Sequence, residues 1–212
     1  MTANYGRNRP GEPEKPRATE MIRAFIAIEL DHAVLKALDK LQAELRRDSP
    51  QKAVRWVDTA GIHLTLKFLG DVPMAQLDDL NVGLQRACQG FAPFTISCAG
   101  LGCFPNPSRP RVIWVGVDEP RGILAELQRA VEREVAPLGY PVEDRPFSPH
   151  LTLGRVRREA SRDDVRRLGE LVTDRQVGKL AQMEARAVSL IRSDLRPTGA
   201  VYTQLVKVTL KG

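Results

Sequence analysis

The sequence has little of what builds metal centres, disulfide frameworks or nucleophile sites. Its 212 residues include three cysteines and three histidines. Cys88, Cys98 and Cys103 are odd in number and lack the paired spacing of a zinc or redox motif, which points to free thiols in a reducing compartment. No apolar run is long enough to span a membrane and the start carries no signal-peptide pattern, so a cytoplasmic protein with no membrane partner is expected. No serine or cysteine stands in a nucleophile-elbow sequence, which argues against Ser-His-Asp catalysis. No carboxylate or cysteine cluster accompanies the histidines, so no metal and no other cofactor is expected.

What the chain does hold is an excess of positive charge. The net charge is +6 and the sequence pI about 9.5. Residues 1–20 carry four basic and three acidic side chains, which leaves +5 on the body. A basic body suits an anionic partner such as nucleic acid, and equally an ordinary solvated surface. Residues 1–20 combine Pro10, Pro13 and Pro16 with glycine and almost nothing apolar, so they are expected to be a disordered tail. Residues 21–212 are long enough to bury a full core, as one domain of two closely packed lobes.

Periodicity divides the body into elements. Residues 22–30 read as a buried strand; Asp31 is placed to cap a helix whose inner face is Val34, Leu38, Leu41 and Leu45. A short strand at 54–57 precedes a longer one at 62–70. Asp71-Val72-Pro73 is expected to cap a helix bearing Leu77, Leu80, Leu84 and Ala87, closed by Gly90. Residues 94–99 alternate as a strand, 100–110 read as a Gly/Pro-rich loop, and 111–117 as a strand. Asp118-Glu119-Pro120 then starts a helix with Leu124, Leu127, Val131 and Val135 at helical spacing. After a strand at 149–156 comes a helix over 161–173 with Val165, Leu168 and Leu171 inward. Two closing strands, 182–193 and 200–210, are expected to form a hairpin around Arg196-Pro197-Thr198-Gly199.

The tetrapeptide His-Leu-Thr-Leu occurs in both the 62–70 and the 149–156 strand. In the first copy, Leu64, Leu66 and Phe68 are expected to enter the core, with His63 and Thr65 on the other face and Lys67 able to join them. In the second copy, Leu151 and Leu153 go inward and His150 and Thr152 share the outer face. A single histidine on a strand carries little meaning, but His63 and His150 are two of only three; His32, at a helix start, reads as surface. Each copy follows a strand and a helix, the order expected of two related lobes facing each other.

Two imidazoles without a metal suit general acid–base chemistry. A neutral ring can take a proton from water while a charged ring gives one to a leaving oxygen. In-line displacement at phosphorus needs such groups on opposite sides of the phosphorus. Threonine hydroxyls beside them can donate hydrogen bonds to the non-bridging oxygens.

The motifs and their flanks resemble the two-histidine (2H) phosphoesterase superfamily, and within it the RNA 2′,3′-cyclic phosphodiesterase branch, also called 2′-5′ RNA ligase or LigT-like. The resemblance rests on Arg23-Ala24-Phe25-Ile26-Ala27-Ile28, Trp56, the stretch from His63 to Gly70, Arg111 to Gly116, Arg145 to Arg155, and Tyr202. It implies an α+β, bilobal fold: two pseudo-symmetric lobes of antiparallel sheet plus helices around a central cleft. It also implies metal-free hydrolysis of an RNA 2′,3′-cyclic phosphate to a 2′-phosphate, by a monomer acting on RNA ends, tRNA fragments among them, or on small cyclic nucleotides. By the same resemblance His63 is the proton donor, His150 the proton acceptor, and Thr65, Thr152 and Arg155 hold phosphate. Simple alternation puts Arg155 on the core side, so this role requires a bulge or strand end at Gly154. Phe25 and Tyr202 are candidate substrate contacts or core residues; Lys67 and Arg109 are candidate backbone contacts. A 2′-5′ RNA ligase acting in the same cleft, and a non-catalytic RNA-binding protein, stay open as alternatives. The intact pair of His/Thr motifs argues against the last, since binding alone needs positive charge and stacking faces.

Overall fold

The strand β1, Met21–Glu29, is apolar enough to be covered on both faces: Ile22, Ala24, Ile26 and Ile28 enter the main core, while Phe25 and Ala27 are buried on the other side with Ile191. The computed structural model describes residues 20–196 and 199–212. The expected tail, but for Glu20, and Pro197 and Thr198 of the expected hairpin turn lie outside the described residues.

Asp31 caps helix α1, His32–Asp48, by accepting from the Val34 amide at 2.8 Å. Its apolar stripe is buried as its spacing requires. The short strand β2, Val54–Trp56, leads through a single 3-10 turn into β3, His63–Pro73. Asp71-Val72-Pro73 does not cap a helix. These residues stay in β3, paired with Arg23, Ile22 and Met21, and α2, Leu77–Cys88, begins after a further turn. Strand pairing has priority here because Val72 is fully buried against β1.

The Gly/Pro-rich stretch is shorter than composition implies. Strand β4, Phe94–Phe104, runs through Gly100 and Gly102 and pairs with β5, Val112–Asp118. Gly102 is strand because the Trp114 ring lies over it; a Cβ there would sit 2.3 Å from the indole. Glu119 starts α3, Ile123–Val135, by accepting from the Leu124 amide at 3.2 Å. Then follow β6, His150–Val156, and α4, Arg162–Asp174, which opens with a Ser161/Asp164 capping box. The expected strand 182–193 is two strands. β7, Lys179–Ala185, and β8, Ala187–Arg196, part at Arg186 and join different sheets; β9, Gly199–Thr209, pairs with β8 as the expected hairpin.

All pairings are antiparallel. One sheet has the order β3-β1-β8-β9, the other β2-β6-β5-β4-β7. Each half of the chain thus repeats strand, helix and histidine strand. One core unites the sheets: Leu64 and Leu66 belong to the same cluster as Leu151 and Leu153. The helices cross between the sheets. α1 packs on β7 of the second sheet, and α3 packs on β3 of the first. Two buried glutamines make the same crossing: Gln42 of α1 donates to Leu153 O at 3.0 Å, and Gln128 of α3 lies 3.5 Å from Leu66 O. Cys88, Cys98 and Cys103 are buried and unpaired; burial pushes the Cys88 thiol up to about 12.

Candidate active site

The two motif strands break alternation at the same place. In β3, Thr65 faces Ala27 and Lys67 faces Ile26, so Leu66 is the extra residue of a bulge. In β6, Thr152 faces Trp114 and Gly154 faces Ile113, so Leu153 is the extra residue. A bulge flips the face of everything beyond it. Arg155 is therefore exposed on the side of His150 and Thr152, the placement that the phosphate contact expected of it requires. Gly154 is turned toward β2, where a Cβ would sit 2.6 Å from Val54 Cγ1. The same bulge reverses two expectations in β3. Phe68, expected in the core, is 59% exposed and lies 6.1 Å from Phe25. Lys67, a candidate backbone contact, is turned into the core, where its ammonium sits 2.7 Å from Glu132 and donates to Pro141 O at 2.5 Å. In the register of the repeat, the exposed Phe68 of one lobe corresponds to the exposed Arg155 of the other.

The histidines are held alike. His63 Nδ1 lies 2.9 Å from Gly61 O, and His150 Nδ1 lies 2.7 Å from Ser148 O, each carbonyl two residues upstream. A carbonyl only accepts, so each Nδ1 carries a hydrogen and each Nε2 is left to exchange protons. Aromatic rings brace both imidazoles. Phe25 stacks on His63 at 4.3 Å and Tyr202 meets it edge-on at 5.1 Å. Phe104 meets His150 edge-on at 4.9 Å, with Trp114 tilted 6.3 Å away. Burial lowers the His63 pKa below its ordinary 6.5, opposed by the Gly61 carbonyl and the Glu29 carboxylate. Glu29 faces His63 across the strand pair and accepts from Ser189 and Gln204.

Phe25 is 3% exposed, so its ring is committed to the imidazole. Tyr202 is 36% exposed at the edge of the same cluster. Burial raises the pKa of its phenol, while the charges of Arg155 and Arg55 on the second sheet lower it. The hydroxyls of Thr65 and Thr152 make no hydrogen bond among the described residues. Arg109 is exposed in the β4–β5 loop, its amide bonded to Asn106. His32 is exposed at the start of α1. Sequence reasoning missed Phe104, hidden in a stretch read as loop, and Arg55, whose strand β2 was seen but not its register beside β6. No group of three or more His, Cys, Asp or Glu stands close enough to hold a metal among the described residues.

A family model described as LigT like Phosphoesterase matches residues 28–114 and again 115–202, with one His-Leu-Thr-Leu in each match. The chain belongs to this family. The RNA 2′,3′-cyclic phosphodiesterase of Methanothermobacter thermautotrophicus is 37% identical over 184 residues, covering 87% of this chain and 96% of that protein. The crystal structure of TT0787 of Thermus thermophilus superposes with TM-score 0.74 at 30% identity, covering 90% of this chain and 99% of that one. E. coli LigT complexed with 3′-AMP gives TM-score 0.72 at 25% identity, covering 91% of this chain and all of that one. The double match coincides with the repeat seen in the topology, and the LigT-like fold is the bilobal α+β arrangement described above. No helix among the described residues is long and apolar enough to cross a membrane.

Proposed function

We propose that the protein hydrolyses 2′,3′-cyclic phosphate ends of RNA to 2′-phosphates, with His63 as proton donor and His150 as proton acceptor. The observation that carries this reading is the matched pair of imidazoles, each with Nδ1 held by a carbonyl and each followed on its strand by a threonine with an uncommitted hydroxyl. His150 Nε2, neutral, takes a proton from water as its oxygen attacks phosphorus. The bond from phosphorus to O3′ breaks, and His63 Nε2, charged, gives its proton to O3′. The Thr65 and Thr152 hydroxyls donate to the non-bridging oxygens, where charge grows, and Arg155 pairs with phosphate. The rings end with protons exchanged and are reset through solvent. A cyclic RNA end, including one on a tRNA fragment, and a small cyclic nucleotide both present the reacting group. The likeness to the RNA 2′,3′-cyclic phosphodiesterase of Methanothermobacter and the basic body support RNA as the substrate class.

The test is hydrolysis of an oligoribonucleotide with a 2′,3′-cyclic phosphate end, in EDTA, by wild type, His63→Ala and His150→Ala. Wild type is expected to yield a 2′-phosphate, and each variant to lose about 10²–10⁴-fold in turnover. A 3′-phosphate product, full activity in either variant, or activity abolished by EDTA and restored by a divalent metal overturns the mechanism.

A further inference from the structure

Two arginines stand opposite each other with nothing to neutralise them. Arg55 of β2 pairs in register with Arg155 of β6. Both are exposed, while their neighbours Val54 and Val156 are buried, so both side chains leave the sheet on the outer face that carries His150 and Thr152. Directly opposed like charges repel in an antiparallel pair. Neither guanidinium has a carboxylate at ion-pair distance among the described residues, although ten other ion pairs occur there. Arg155 shares its strand and its exposed face with His150 and Thr152, and Arg55 lies beside it, so the pair borders the site; the charges of both reach Tyr202, which meets His63 edge-on. An uncompensated cation pair is the arrangement that an anionic ligand stabilises, and guanidinium groups suit phosphate.

The position separates this anion from the reacting one. Between the partners of Thr152 and Arg155, β5 advances two residues, from Trp114 to Val112. At about 3.3 Å per residue and about 4.8 Å between strands, the Arg55 backbone lies roughly 8 Å from that of Thr152. That is a nucleotide-scale step from the reacting phosphorus. A nucleotide at a 2′,3′-cyclic end has one further phosphate of its own, at O5′.

We propose that Arg55 binds the 5′-phosphate of the terminal nucleotide, the linkage to the rest of the RNA, while Arg155 beside it stays with the reacting phosphate, so that the protein prefers chain ends to cyclic nucleotides without a 5′-phosphate. The inference rests on the phosphodiesterase reading above. It is tested with adenosine 2′,3′-cyclic phosphate and the same compound carrying a 5′-phosphate, using wild type, Arg55→Gln and Arg55→Lys. Arg55 is exposed on a short edge strand, so the variants are expected to melt with wild type. Wild type is expected to favour the 5′-phosphorylated compound by about 10–100-fold in kcat/KM, chiefly through KM. Arg55→Gln is expected to erase that preference while staying within about twofold of wild type on the unphosphorylated compound; Arg55→Lys keeps part of it. On a cyclic-ended oligonucleotide, the salt dependence of log kcat/KM in Arg55→Gln should flatten by about 0.7. A wild type that turns over both compounds without preference, or an Arg55→Gln that loses equally on both or on neither, overturns this inference alone. A wild type inactive on every substrate overturns the phosphodiesterase reading and this inference with it.

Discussion

Lys67 stands in the first motif strand, four residues beyond His63, where a cation invites assignment to the RNA backbone. Its structural position predicts that it matters to folding and not to turnover. The Lys67 and Glu132 side chains are 3% and 5% exposed, with Nζ 2.7 Å from Oε2. This ion pair is the sole polar contact of Oε2, out of hydrogen-bond alignment. Burial this complete removes the solvent screening that makes surface pairs weak. Glu132→Met leaves a buried ammonium whose remaining partner is Pro141 O, at 2.5 Å. Stranding one charge of a buried pair costs about 3–5 kcal/mol. For a domain of this size that lowers Tm by roughly 6–20 °C, at about 2–4 °C per kcal/mol. Lys67→Met/Glu132→Met removes both charges at similar volume and is expected to recover most of the loss, short of the hydrogen bonds to Pro141 and Gln128. Urea unfolding at unchanged m reads the stabilities, and single-turnover hydrolysis per folded molecule reads the chemistry. A Glu132→Met variant within about 1 kcal/mol of wild type, a double variant no better than the single, or a folded double variant that loses turnover refutes the reasoning.

The other predictions concern the site itself. Thr152→Val keeps shape and breaks no hydrogen bond among the described residues, so its melt should match wild type while kcat falls about 10²–10³-fold with little change in KM, as steady-state kinetics will show. His63 titrates below its ordinary 6.5 because it is buried. The unfolded chain therefore binds more protons between the two values, and stability falls as pH drops from about 6.5 through the folded-state pKa. In urea melts across that window His63→Asn should show a shallower slope; an equal slope counts against the burial argument. If His63 is the proton donor, its charged form is lost as pH rises through the same lowered pKa. The alkaline limb of kcat/KM should then fall early, and Phe25→Ala, which uncovers the ring, should move that limb upward.

The site was legible in the sequence where two-residue alternation held, and illegible where a bulge broke it. Leu64, Thr65, Leu151 and Thr152 follow the alternating pattern and face as their spacing requires. Phe68 and Lys67 exchange faces because Leu66 is an extra residue, a fact of pairing with β1 that β3 does not encode alone. Arg155 was reachable only because a functional expectation demanded a bulge beside Gly154, whose missing Cβ leaves room for Val54 of β2. The helices announced themselves through their apolar stripes, and two of the three start signals held: Asp31 caps α1 and Glu119 stands at the start of α3, while Asp71 stays in β3. Which sheet each helix covers, and that Arg186 divides one apolar run between two sheets, depend on contacts more distant than any local window.

The crossing of the helices has a consequence for how such a molecule can be divided. Because α1 lies on β7 and α3 on β3, each half lends a helix to a strand of the other, and the buried amides of Gln42 and Gln128 make the same exchange. A chain severed between the two repeats splits both sheets, since β8 and β9 complete the first and β2 and β4 lie in the second, and it parts α1 and α3 from the strands they cover. A lone repeat could close its core only by trading helices with a second copy, as in a domain-swapped pair. Cooperativity is thus written into the connectivity: the two motif strands are ordered together or not at all.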